Sequence, residues 1–62
     1  MCLASAFVEK GNERELVLDK TTMVQVEGDL IICTNLFGEV QQIKGSIKEI
    51  NFEKSSIIIA AE

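Results

Sequence analysis

Hydrophobic and polar positions alternate along most of this chain with a period of two, the repeat of an extended strand. In residues 1–9, Leu3, Ser5 and Phe7 fall on one face and Cys2, Ala4, Ala6 and Val8 on the other. Both faces carry small or apolar side chains, so this strand is predicted to be central, with neighbours on either side. Lys10-Gly11-Asn12-Glu13-Arg14 is polar and holds a Gly-Asn pair suited to a hairpin turn. Residues 15–18 return as a short strand or extended arm. Asp19-Lys20-Thr21 breaks the pattern, and residues 22–27 resume it with Met23, Val24 and Val26.

Gly28-Asp29 turns the chain into residues 30–34, which make a second hairpin. Asn35-Leu36-Phe37-Gly38-Glu39 then interrupts, with a glycine free to take positive φ. Residues 40–44 form a further strand, and Gly45 marks a bulge or sharp bend, as where a strand curves between two sheets of a barrel. Residues 47–52 continue, Glu53-Lys54-Ser55 turns, and residues 56–60 form the last strand. Strands this short, with turn signals every few residues, predict an all-β barrel or sandwich of five to seven strands. A long helix is not expected: the best candidate, residues 12–20, places Leu16, Val17 and Leu18 in succession rather than three or four apart. Ile57-Ile58-Ile59 needs cover on both faces. Left at an open edge it invites aggregation, so it must pair centrally or be covered by a second copy.

Size sharpens that requirement. The 62 residues make one domain, residues 1–62, and a chain this short buries only about 60% of its unfolded surface. With three Phe and no Trp or Tyr, the core must be built from Ile, Val and Leu. A two-fold homodimer that hides further aliphatic surface is the simplest remedy. Ten acidic against six basic residues give a net charge of −4, which disfavours nucleic-acid backbones and anionic membranes. No apolar run approaches the ~20 residues that span a bilayer, and the start lacks the pattern of a signal peptide. The chain reads as cytoplasmic, with its two cysteines reduced. Cys33, inside Leu30-Ile31-Ile32-Cys33, reads as a small core hydrophobe.

Catalytic chemistry finds little support. The chain has no His, so its serines lack the usual base, and Glu13, Glu15, Glu27 and Asp29 sit at turns where carboxylates are solvated. No glycine spacing makes a phosphate loop. The chain is therefore read as no enzyme. What remains is the first pair of residues. Cys2, one residue from the α-amino group, offers a thiolate beside a backbone amide nitrogen and the Met1 amine, with the Met1 sulfur as a weak further donor. Planar nitrogen and thiolate donors suit Ni(II) or Cu(II). One chain cannot complete four-coordination this way, whereas a homodimer with its N-termini near the two-fold axis brings two thiolates together. The bland alternative is a packed, inert cysteine on the first strand. RNA binding is the competing function. Phe7, Phe37 and Phe52 are its only stacking residues, at least two of them expected to be buried, and Lys44, Lys48 and Lys54 its modest basic stripe.

Met1-Cys2-Leu3-Ala4, Asn35-Leu36-Phe37-Gly38-Glu39 and the Lys48-Glu49-Ile50 segment together resemble the CooT family, short nickel-binding accessory proteins of carbon monoxide dehydrogenase maturation. The resemblance spans essentially the whole chain. It implies a small SH3-like β-barrel of antiparallel strands, a homodimer, and Ni(II) held by the second-residue cysteine, a role that falls on Cys2 with Met1 as co-ligand. The client would be a nickel enzyme such as carbon monoxide dehydrogenase. Members of that family also carry an RNA-binding label, which keeps nucleic acid as the alternative partner. Cys33 matches nothing in the family's motif. The Leu36-Phe37-Gly38-Glu39 turn matches but takes no metal role; its simplest reading is a structural turn with Phe37 plugging one end of the barrel.

Overall fold

A computed structural model describes residues 3–62. They form five strands, β1 (Ala4–Lys10), β2 (Glu13–Glu27), β3 (Leu30–Asn35), β4 (Val40–Asn51) and β5 (Ser56–Ala61), closed into a barrel in the order β1-β2-β3-β4-β5. Four of the five ladders are antiparallel. The fifth, between β1 and β5, is parallel, with Ser5 opposite Ser56 and Glu9 opposite Ala60. Alternation within one strand cannot reveal that pairing, because it depends on which strand lies beside which. No helix among the described residues is long and apolar enough to cross a membrane.

Period-two patterning fills the interior as the sequence predicts. Ala6, Leu18, Ile31, Cys33, Ile57 and Ile59 are buried, with Ala4, Val17, Val24, Ile43 and Ile47 packed against them. Cys33 is fully buried beside Ile31, as expected of a small core hydrophobe. The Ile57-Ile58-Ile59 run pairs centrally, between β4 and β1, so neither of its edges is open. Ile58 faces away from the core yet is also buried, at the floor of a surface cavity shared with Phe7, Arg14 and Lys54.

Two of the strands are long because they bend instead of stopping. The expected interruption at Asp19-Lys20-Thr21 is a bulge inside β2, which serves β1 with its first half and β3 with its second. Register shifts occur on both sides of it, and Lys20 takes φ +54°. Hydrophobicity falls at a bulge as it does at a loop, which is why the two look alike in sequence. In β4 the bend is at Gly45, whose amide donates to the Asp29 carbonyl at 2.7 Å. A Cβ built on Gly45 lies 2.0 Å from the Ala60 carbonyl oxygen, so β4 and β5 can approach this closely only at glycine. Outside the barrel, Glu9 accepts from Arg14 Nη2 at 2.9 Å and from Lys48 Nζ, linking β1, β2 and β4.

Two outcomes follow for stability. Gly45→Ala pushes β4 from β5 and should cost on the order of 1–3 kcal/mol, measured as a lower urea midpoint at unchanged slope. The two cations hold the Glu9 carboxyl below its ordinary value of 4.5, hydrogen bonding from Lys48 acting most and Arg14 next. A lowered folded-state pKa stabilises above the unfolded value, and that contribution disappears as pH falls through the folded one. Wild type should therefore exceed Glu9→Gln in urea midpoint at pH 6 and lose the advantage in strong acid. An advantage that persists in acid would mean that Glu9 acts through packing, not charge.

Candidate functional site

The start of β1 defines one end of the barrel, and three neighbouring strands are tied to it there. Ala4 pairs with Thr21 of β2, and Thr21 in turn with Asn35 at the end of β3. On the other side Ser5 faces Ser56, and its amide donates to the Ser55 carbonyl at 2.9 Å. The Ser5 hydroxyl donates to Asp19 Oδ1 at 3.0 Å. Among the described residues two non-glycines take positive φ, Lys20 at 54° and Ser55 at 52°, and both belong to this end. Each turns its carbonyl toward a neighbouring segment, Lys20 to the Leu36 amide and Ser55 to the Ser5 amide. Left-handed backbone at such residues costs roughly 1–3 kcal/mol each and concentrates where a structure must hold a particular shape.

Asn35 builds the turn between β3 and β4. It continues the inward series Ile31, Cys33, Asn35 and is buried. Its Oδ1 accepts from the amides of Phe37 at 3.0 Å and Glu39 at 2.9 Å, and its Nδ2 donates to Glu39 Oε1 at 2.7 Å. The Asn35, Leu36 and Gly38 amides donate to carbonyls of Glu39, Lys20 and Asn35. Every amide from Asn35 to Glu39 is thus satisfied within the protein, and the turn is held rigidly.

The aromatic residues depart from expectation. Phe37 is 69% exposed and Phe52 87%, so neither is buried, and Phe37 does not plug the barrel. The inward position is taken by Asn35, and the two residues after it leave the sheet. Phe37 instead lies beneath the Lys20 ammonium, 5.4 Å from its ring centroid, a cation–π contact. Leu36, Ile50 and Leu3 are also exposed near the same end. A polar Asn at the end of an apolar strand, four residues ahead of Glu with Gly between, is the signal that marks such a turn.

The predicted donors Met1 and Cys2 lie outside the described residues. Cys33 is fully buried in the core, and desolvation pushes its thiol above the ordinary range. Among the described residues no three His, Cys, Asp or Glu side chains gather as a metal site. Of the lysines weighed for RNA, Lys48 is engaged by Glu9, Lys54 lies in the turn before β5, and the Gly45 bend separates both from Lys44. Removing the organiser of the turn has a defined expectation. Asn35→Ala should cost about 1–3 kcal/mol through its orphaned partners, with faster amide exchange at Phe37 and Glu39. Unchanged exchange there would show that the side chain does not hold the turn.

Known proteins share this architecture. The chain is 30% identical to a candidate CooT from Carboxydothermus hydrogenoformans, whose crystal structure superposes with a TM-score of 0.89 and 98% of each chain covered. It is 36% identical over 45 residues to the uncharacterized protein MJ1551 of Methanocaldococcus jannaschii, covering 73% of this chain and 79% of that one. Residues 1–60 match the family described as CO dehydrogenase accessory protein CooT. With a match that runs from the Met1-Cys2 start into the last strand, on a shared fold, this chain belongs to the CooT family of CO dehydrogenase accessory proteins.

Proposed function

We propose that this chain carries Ni(II) as cargo for the maturation of carbon monoxide dehydrogenase, without catalysing a reaction itself. The ion is held by the Cys2 thiolate with the Met1 amine and the intervening amide nitrogen, and two chains share the site. The observation that carries this reading is the end of the barrel where β1 starts. Leu3, Leu36, Phe37, Ile50 and Phe52 are exposed there, apolar surface that a chain of 62 residues leaves in water at a cost. Covering it with a second copy places two N-terminal segments side by side. That supplies the second thiolate which one chain lacks.

The donor chemistry suits a carrier. Thiolate and amine both bind protons in competition with the metal, so affinity is adjustable and release needs no covalent step. The strand that follows these two residues in sequence is firmly held: β1 is paired on both sides from Ala4 and Ser5 onward. Donors at the chain terminus, next in sequence to a firmly paired strand, let the ion be handed over by ligand exchange.

Titration of Ni(II) into the protein and into Cys2→Ser, followed by thiolate-to-metal charge-transfer absorption and native mass spectrometry, tests this. One nickel per dimer is expected, with the absorption lost in the variant. Binding should also tighten from pH 6 to pH 8, because a thiol near ~8.5 and an amine near ~7.7–8.0 must both deprotonate. Nickel binding that survives Cys2→Ser, or that ignores pH, would remove these donors from the site.

A further inference from the structure

We infer that the cavity on the outer face of the β1–β5 ladder is a binding site for a small organic anion, a carboxylate or phosphate carried on an aromatic or branched apolar body. The site is built from residues other than the proposed nickel donors and does not depend on them.

Parallel pairing builds it. Ser5 lies opposite Ser56 and Phe7 opposite Ile58, and side chains two residues apart leave a strand on the same face. The outer face of the ladder therefore carries a hydroxyl pair followed by an apolar pair, while Ala6, Ile57 and Ile59 fill the core on the inner face. Ile58 points outward yet is only 6% exposed, so its neighbours wall it in. Two of the walls arrive from beyond the ladder, Arg14 from the start of β2 and Lys54 from the turn that leads into β5. The enclosed volume is about 310 Å³. Small-molecule sites start at about 300 Å³ and combine an apolar lining with a few convergent polar groups.

Charge selects the ligand. The chain has a net charge of −4, yet no carboxylate lines this cavity. A larger cavity at the β1–β2 hairpin shares Arg14 but is also lined by Glu13 and Glu15, so its cations meet acids of the chain itself. Here Lys54 makes no salt bridge among the described residues. Arg14 gives Nη2 to Glu9 at 2.9 Å and keeps its remaining guanidinium donors. The Ser5 hydroxyl has committed its proton to Asp19 at 3.0 Å, whereas Ser56 adds a neutral donor. Hydrogen bonds from Lys and Arg to a carboxylate or phosphate are about twice as strong as neutral ones. A bare inorganic anion would use the cations alone, and a neutral hydrocarbon only Phe7 and Ile58. An organic anion uses both.

Titrations of the whole chain with phenyl phosphate and with benzoate, followed by amide chemical shifts, test this. At least one of the two should saturate, with shifts centred on Phe7, Lys54, Ser56 and Ile58, and the tighter one identifies the head group. Inorganic phosphate carries the charge without the ring and benzamide the ring without the charge; each should bind at least tenfold more weakly. Lys54→Gln should weaken the anion at least tenfold, and Lys44→Gln, on the β3–β4 ladder, should leave it unchanged. Both lysines are exposed, so both variants should fold, which circular dichroism checks. Added salt should weaken binding, because the cations that attract the anion are open to solvent. Saturation by neither anion, affinity that survives Lys54→Gln, or shifts spread equally over Lys20 and Lys44 would overturn the site. Inorganic phosphate bound as tightly as phenyl phosphate would overturn the organic ligand. The Cys2→Ser titration reads nickel separately, so failure here leaves that reading standing.

Discussion

Closure of the sheet is the constraint on which everything else in this protein depends. A chain of 62 residues has too little core to tolerate an open edge lined by Ile57, Ile58 and Ile59. The parallel ladder between β1 and β5 removes that edge, but only if the other strands curve enough to bring first and last together. Two bends supply the curvature, one at Lys20 in β2 and one at Gly45 in β4. The Gly45 bend works by close approach, with β5 backbone filling the space a side chain would take. The Lys20 bend works by strain, held because its carbonyl receives the Leu36 amide. Local geometry in two places thus decides whether the hydrophobic interior is sealed.

The same bend at Lys20 connects the fold to the functional end. Strain at a lysine is tolerated because the Asn35 turn holds it, and the Asn35 turn is what lifts Leu36 and Phe37 into solvent. Core residues and surface residues are not separate projects here. Asn35 takes an interior position with a polar side chain, and in return that side chain accepts the Phe37 and Glu39 amides and holds the turn from which an aromatic ring points outward. Burying a polar group is acceptable when each of its partners is present, as they are at this one.

Much of this was legible in the pattern of residues. The strand alternation, the Gly11-Asn12 and Gly28-Asp29 turns, the bend at Gly45 and the interior position of Cys33 all follow from short-range rules that act within a few residues. What eluded those rules depended on contacts between distant segments. Asp19-Lys20-Thr21 resembles a loop unless β1 and β3 are known to share β2, and the parallel ladder needs both ends of the chain in view. The phenylalanines misled for a different reason: hydrophobicity says that a side chain gains by leaving water, but not whether its own barrel or a second molecule provides the shelter. Cys2 and Met1 stand out by donor chemistry and by resemblance to a family, whereas the exposed apolar residues around the start of β1 could be recognised only once the turns of β3–β4 and β4–β5 were placed beside it.

Parallel pairing of β1 with β5 also fixes where the two termini point. Ser5 opposite Ser56 and Glu9 opposite Ala60 mean that both strands set out from the same end and run the same way. Glu62 consequently follows β5 out of the opposite end, a strand length of about 20 Å from the start of β1. A label, a surface tether or a fused reporter attached after Glu62 therefore stays clear of the start of β1, while any extension ahead of Met1 converts the amine proposed as a nickel donor into an amide. The polarity of a single ladder makes the two ends of this small protein unequal as handles.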